Sequence, residues 1–206
     1  MSSGSSAATR PPRWYDEQTA PLLHDLVLAR RPTLAAGRLV AVDGPAGSGK
    51  TTLARQLAAE LPGGPVGNRG RIVTVHLDDL YEGWTGLNDT LESRVVDQLL
   101  TPLAQGGAAT WQRYDWVDQE FDEWVTISPG VDVLILEGCG AGARAYAAYT
   151  SLLVWVEAPR EVRIRRGVER DGIAVLPRWL AWMKLENSHF EENQTKARAA
   201  IRITTG

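Results

Sequence analysis

Residues 44–51 read Gly-Pro-Ala-Gly-Ser-Gly-Lys-Thr, an instance of G-x-x-x-x-G-K-[ST]. Glycines at this spacing let backbone N–H groups turn together toward phosphate oxygens, and a following helix N-terminus adds a favourable dipole. Gly44, Ala46, Gly47, Ser48 and Gly49 form that loop, and Lys50, Thr51 and Thr52 open the helix. Lys50 can bridge β- and γ-phosphates, and the Thr51 hydroxyl can reach Mg²⁺. The required context is present: the apolar run RLVAVD precedes the loop and the helically spaced TTLARQLAAEL follows it. The motif implies a bound nucleoside triphosphate and leaves open what happens to it.

Two apolar runs end in acids. RIVTVHL is followed by Asp78 and Asp79, and VDVLIL by Glu137 and Gly138. A carboxylate at Asp78 can take a proton from an attacking hydroxyl or help to hold Mg²⁺; a solvated turn or a helix cap is the plain alternative for both aspartates. Glu137 is costly to bury unpaired, which orientation of Mg²⁺ or its water explains, as does a structural salt bridge. Asp43 stands one residue before the loop and can contact it or cap it. Residues 160–170 carry five arginines and two glutamates in a chain of net charge −3. Arg163, Arg166 and Arg170, spaced i, i+3, i+7, share one helix face. Beside a triphosphate they can clamp a transferring phosphoryl group; the plain alternative is a solvated basic helix. Among eight tryptophans, Trp84, Trp111 and Trp116 flank the expected acceptor side, where indoles can stack on a flat group or pack on a sugar. Trp155, Trp179 and Trp182 read as core, as do His76, His189 and Cys139.

These groups need a scaffold. Period and breakers predict strands over 38–44, 71–79, 131–138, 151–159 and 199–203. They predict helices over 15–31, 51–61, 90–107, 160–172 and 176–193, with a loop over 62–70 and no clear period over 108–130. Strands alternating with helices imply an α/β fold: about five strands, mainly parallel, with helices on both faces. Ligands then sit beyond the carboxyl ends of the strands, where the loop and both acids fall. The expected organisation is a disordered tail (1–14), an N-terminal helix (15–36) and one domain (37–206) with a short Arg-rich lid at about 159–172.

Composition narrows the classes. With 22 Lys and Arg against 25 Asp and Glu, nucleic acid is a poor partner. Three scattered histidines and one cysteine argue against a zinc site or a disulfide framework, and the lone cysteine suits a cytoplasmic protein. No apolar run is long enough to span a membrane, so no membrane role is expected.

Taken together, the motifs resemble the uridine kinase–phosphoribulokinase–pantothenate kinase family of P-loop kinases over about residues 38–203. Asp78-Asp79-Leu80-Tyr81 is similar to the family's D-S-F-Y, and Arg113-Tyr114-Asp115-Trp116 to its P-x-Y-D-[FHW]. PGVDVLILEG (129–138) is similar to its P-x-D-[LIV]-x-[LIV]-x-E-G, and VRIRRGVERD (162–171) to its R-x-x-R-x-x-x-R-D lid. The resemblance implies a three-layer P-loop NTPase sandwich and ATP-dependent, Mg²⁺-dependent transfer of a phosphoryl group to a hydroxyl of a small, nucleoside-like acceptor. It implies Asp78 as catalytic base, with Lys50, Arg163, Arg166 and Arg170 balancing charge. Thr51, Glu137 and Asp78 are the implied metal-side groups. Asp79, Tyr81, Trp84, Arg113, Tyr114, Asp115 and Trp116 build the acceptor pocket. The family's acidic ribose-binding element has no convincing counterpart in EGWTGLNDTLESR, where Asp89 is a weak candidate, and its base-recognising histidine is replaced by VDQEFDEW. A nucleoside monophosphate or coenzyme-precursor kinase is the rival within enzymes, and it would need cations such as Arg69, Arg94, Arg113 or Arg144. An ATP-dependent switch without a small acceptor is the rival from another class. A monomer or a homodimer is expected.

Overall fold

A computed structural model of the 206-residue chain describes residues 19–61 and 71–206. The expected tail (1–14), the start of the expected first helix, the loop at 62–70 and Arg69 lie outside the described residues. In chain order the elements begin with α1 (Thr19–Ala29), β1 (Arg38–Asp43), α2 (Lys50–Glu60) and β2 (Ile72–His76). A 3₁₀ turn, Leu77–Asp79, follows β2. Next come α3 (Asp89–Arg94), a π-helical stretch (Val95–Leu100) and α4 (Thr101–Ala104). Then follow β3 (Ala109–Asp115), β4 (Glu120–Ile127), β5 (Val133–Glu137) and β6 (Thr150–Glu157). The chain closes with α5 (Arg160–Asp171), α6 (Leu176–Asn193), α7 (Thr195–Arg198) and β7 (Ile201–Thr204).

Five strands form one parallel sheet in the order β2-β5-β1-β6-β7. Side chains alternate across it, as the pleat requires. Val40, Val42, Val133, Ile135, Val154 and Val156 face one way, onto Leu53, Leu57, Leu23 and Val27 of α2 and α1. Leu39, Ala41, Leu134, Leu136, Leu153 and Trp155 face the other, onto Leu91, Leu99, Leu103, Trp182 and Phe190. Both faces are covered at the centre, so β1, β5 and β6 are buried along most of their length rather than alternating. The N-terminal helix is part of this sandwich: Leu23 and Val27 are buried against α2.

Two expectations change. Residues 108–130, without readable period, form the antiparallel hairpin β3–β4, outside the main sheet. Its strands are half-solvated and carry a register shift between Gln112 and Tyr114, which blurs the alternation. The second strand stops at His76, so Asp78 and Asp79 stand in a tight turn beyond it, not on it. Among the described residues no helix is long and apolar enough to cross a membrane.

Candidate active site

The carboxyl ends of β1, β2 and β5 open into a cavity of about 500 Å³ lined by Lys50, Thr51, Asp78, Glu137, Arg166 and Arg170, with an aromatic wall opposite. β1 brings in the phosphate loop. Gly44, at φ 142, crosses so close to β6 that a Cβ would fall 1.9 Å from the Val156 carbonyl oxygen, so only glycine serves there. Asp43, fully buried, receives the N–H groups of Gly44, Gly140 and Gly142 at 2.6, 2.9 and 2.8 Å. It caps two loops at once. Burial pushes its pKa up to about 6 although these N–H groups and Lys50 pull the other way.

The loop is braced from outside. Glu186 of α6, without solvent exposure, accepts the Ala46 N–H at 2.8 Å and pairs with Arg163 at 3.0 Å. Arg166 donates to the Gly47 carbonyl at 3.1 Å and to the Thr205 hydroxyl at 3.0 Å, and Thr205 donates to the Ser48 carbonyl at 2.8 Å. The amides of Ala46 and Ser48 are therefore occupied, by Glu186 and by the Pro45 carbonyl. With the Gly44 amide bound to Asp43, that narrows the expected cradle to the Gly47 amide and the first-turn N–H groups of α2, which have no helical acceptor. Lys50 is buried, with its ammonium 3.0 Å from the Pro45 carbonyl and 3.6 Å from the Cys139 sulfur. Burial lowers its pKa, but Cys139, Glu137, Glu186 and Asp43 outweigh it and hold the lysine above its ordinary value.

Beside the loop, the Thr51 hydroxyl donates to Glu137 at 3.0 Å, and His76 Nδ1 meets the same carboxylate oxygen at 2.5 Å. The hydrogen bond to Glu137 raises the His76 pKa. Glu137 is thus paired and also at the cavity wall. Asp78 faces the cavity. The protein packed behind it and the nearby Glu137 charge raise its pKa, with Lys50, Arg170 and His76 opposing; water in the open cavity limits the shift. A carboxylate with a raised pKa is better suited to accept a proton. Among the described residues no group of three or more His, Cys, Asp or Glu forms a ready-made metal cage. Mg²⁺ keeps several waters and takes one or two carboxylates together with substrate phosphates. The hard-oxygen set of Thr51, Glu137 and Asp78 is of that kind.

The three arginines of α5 part company. Arg163 is buried and bound to Glu186 and the Ala158 carbonyl, and it does not line the cavity. The phosphoryl-clamp expectation is corrected for Arg163: it anchors α5 to α6 and the loop. Arg166 and Arg170 do line the cavity. Arg170 is held by Asp171 at 2.7 and 2.8 Å, and Asp171 also takes the Trp179 indole N–H at 2.9 Å. Trp179 lies so close over α5 that a Cβ at Gly167 would fall 2.5 Å from its ring, so Trp179 packs there only because residue 167 is glycine.

The acceptor side is aromatic. Tyr81, Trp84, Trp116, Trp179 and Trp182 line the cavity. Trp179 and Trp182, read as core, are buried as expected and also line the cavity. Trp111 is the reverse case, buried in the core. Asp79, Arg113, Tyr114 and Asp115 also fall behind the wall rather than on it. Arg113 bridges Asp79 at 3.6 Å and Glu123 at 2.7 Å. Asp115 caps the hairpin turn by accepting the Val117 and Asp118 N–H groups at 2.7 and 3.0 Å, which lowers its pKa. Tyr114 packs edge-on between Trp116 and Phe121. These four position the hairpin; direct acceptor contact is corrected for each.

Sequence reasoning missed Glu186, Thr205 and Asp171. Glu186 left a signal: Trp179, Trp182, Met183, Glu186 and Phe190 share the buried face of α6, and an acid on such a stripe needs a partner.

An AAA domain family model matches residues 40–192. A cytidylate kinase of Haloarcula marismortui is 31% identical over 161 residues, 78% of this chain, and the chain spans about 65% of that relative's length. A solved structure of a possible uridine kinase from Bacillus stearothermophilus superposes with a TM-score of 0.64 at 20% identity, covering 89% of this chain and 96% of that one. A D-glycerate 3-kinase from Cryptococcus neoformans superposes with a TM-score of 0.55 at 15% identity, covering 86% and 88%. At these identities the two structures speak for the fold, which is the P-loop NTPase sandwich.

Proposed function

This chain belongs to the AAA domain family, and we propose that within it the protein is an ATP- and Mg²⁺-dependent kinase acting on a hydroxyl of a small molecule. One observation carries this reading: a single cavity joins the phosphate loop, the Asp78 and Glu137 carboxylates, and a wall suited to an organic acceptor. The acceptor oxygen forms a bond to the γ-phosphorus while the bond from phosphorus to the β,γ-bridging oxygen breaks. The electron pair leaves with ADP, and the hydroxyl proton passes to Asp78. Lys50, Arg166 and Arg170 stand where charge spreads over the transferred group. Thr51, Glu137 and Asp78 would hold Mg²⁺, which supplies charge neutralisation across the phosphates. Asp171 keeps Arg170 oriented, and Glu186 and Thr205 keep the loop in shape.

The cytidylate kinase relative favours nucleotide-linked chemistry, and a phosphorylated acceptor needs cations of its own. Among the expected ones, Arg94 lies over the Phe121 ring and donates to the Leu80 carbonyl, Arg113 is paired as above, and Arg144 donates to Gln194. None of the three lines the cavity, which favours an unphosphorylated hydroxyl. The switch reading has no use for an enclosed aromatic wall. Asp78→Asn tests the assignment: transfer should fall by about 10²- to 10⁴-fold with nucleotide affinity retained. Unchanged turnover would remove Asp78 from the base role.

A further inference from the structure

The wall opposite the phosphate loop is built of aromatic rings. The rings form one edge-to-face chain. Tyr114 meets Trp116 at 5.4 Å, Trp116 meets Trp84 at 5.7 Å, Trp84 meets Trp182 at 6.2 Å, and Trp182 meets Tyr81 at 4.9 Å. Interplanar angles of 62–85° set neighbouring rings as near-perpendicular facets. Three polar tips point into protein: the Trp116 indole N–H donates to the Asp78 carbonyl at 2.9 Å, and the Tyr81 hydroxyl to the Cys139 carbonyl at 2.7 Å. The Trp179 N–H is taken by Asp171. The cavity's charged groups are Lys50, Asp78, Glu137, Arg166, Arg170 and Asp171, and of these Arg170 and Asp171 border the wall at Trp179. A sugar or a nucleobase edge needs several directed hydrogen bonds, and groups it leaves unpaired are costly. Ring faces reward flat or bulky apolar surface instead.

Resting on the kinase reading above, we infer that the acceptor class is an unphosphorylated alcohol carried on an aromatic or bulky apolar body, not a polyol and not a nucleotide. Trp84, Trp116 and Trp182 hold that body and set specificity. The Trp116 bond to the Asp78 backbone ties the wall to the base, so the body's position fixes the hydroxyl against Asp78. The reaction balances as written above, with an aryl-alkyl or alkyl phosphate and ADP as products.

The test uses the full chain with ATP and Mg²⁺, following ADP release and the phosphorylated product by mass. Matched panels are aryl alcohols such as 2-phenylethanol and indole-3-ethanol, ribonucleosides, simple sugars, and nucleoside monophosphates. Acceptor binding is read separately from quenching of tryptophan fluorescence. The expected result is kcat/KM for aryl alcohols at least about 100-fold above that for sugars. Trp84→Ala should raise KM for the aryl alcohol about tenfold, whereas Trp124→Ala, on the exposed hairpin face outside the cavity, should change nothing. Best turnover on a ribonucleoside, a sugar or a monophosphate overturns the inference and leaves the kinase reading standing. Aryl-alcohol binding lost in Trp84→Ala, with no transfer to any panel member, supports the wall's ligand class and overturns the kinase reading. Neither binding nor transfer overturns both.

Discussion

The two ends of the cavity are built by different rules. The phosphate end is one short segment, residues 44–52, whose backbone does the work and whose shape is enforced from outside by Glu186, Arg166 and Thr205. The acceptor end is assembled from side chains of three separate regions: Tyr81 and Trp84 after β2, Trp116 at the hairpin turn, and Trp179 and Trp182 on α6. A backbone cradle needs glycines at fixed spacing and tolerates little change. An aromatic wall needs only rings that meet, and it can be recomposed for another acceptor. On the proposed reading, the groups that act on the phosphates and the groups that would hold the acceptor are built by separate parts of one cavity.

The sharpest way to break that contrast is to loosen the brace. Glu186→Ala leaves Arg163 buried without its partner, and breaking a buried pair costs about 3–5 kcal/mol. The melting temperature should fall by roughly 10 °C, with nucleotide affinity falling alongside, as thermal melts and nucleotide titration would register. A loss confined to acceptor affinity would mean that the two ends are not separate. Next in size is Lys50→Ala: removing a fixed charge at the phosphoryl group should lower kcat by about 10²- to 10³-fold while fluorescence still detects acceptor binding. Smaller again is a change in the wall itself. Trp116→Ala should weaken acceptor binding by about tenfold and leave nucleotide affinity as it was; a matching loss of nucleotide affinity would erase the division.

The smallest effect sharpens the picture at the lid, which borders both ends. The Asp171 pKa lies below its ordinary value of 3.8, first because of its hydrogen bond to Arg170, with the Trp179 N–H adding to it. Its contribution to stability is therefore present above that ordinary value and is lost as the pH falls through the lower folded value. Asp171→Asn should be destabilised by less than about 1 kcal/mol at neutral pH and should converge with the parent in strong acid. Parallel stability curves for the two proteins across the acid range would remove the carboxylate from that role.

Much was readable before any coordinates because it depends on local periodicity. The phosphate loop, the five strands, the helix α5 and the acids at 78 and 137 each announce themselves through neighbours in sequence. The hairpin at 109–127 did not, because half-solvated strands with a register shift show no clean alternation. The roles within motifs were also opaque. Arg163, Arg166 and Arg170 share a helix face, yet only contact with α6 distinguishes Arg163, bound to Glu186, from the two that reach the cavity. Asp115 looked like a pocket residue and is a turn cap.

By itself, the sequence determined the triphosphate cradle, because glycine spacing and the helix that follows are properties of consecutive residues. The tertiary structure decided the acceptor wall and the brace behind the loop. Both arise where segments distant along the chain meet, Trp84 with Trp182 and Ala46 with Glu186, and such meetings follow from how the helices cross the sheet rather than from any local pattern.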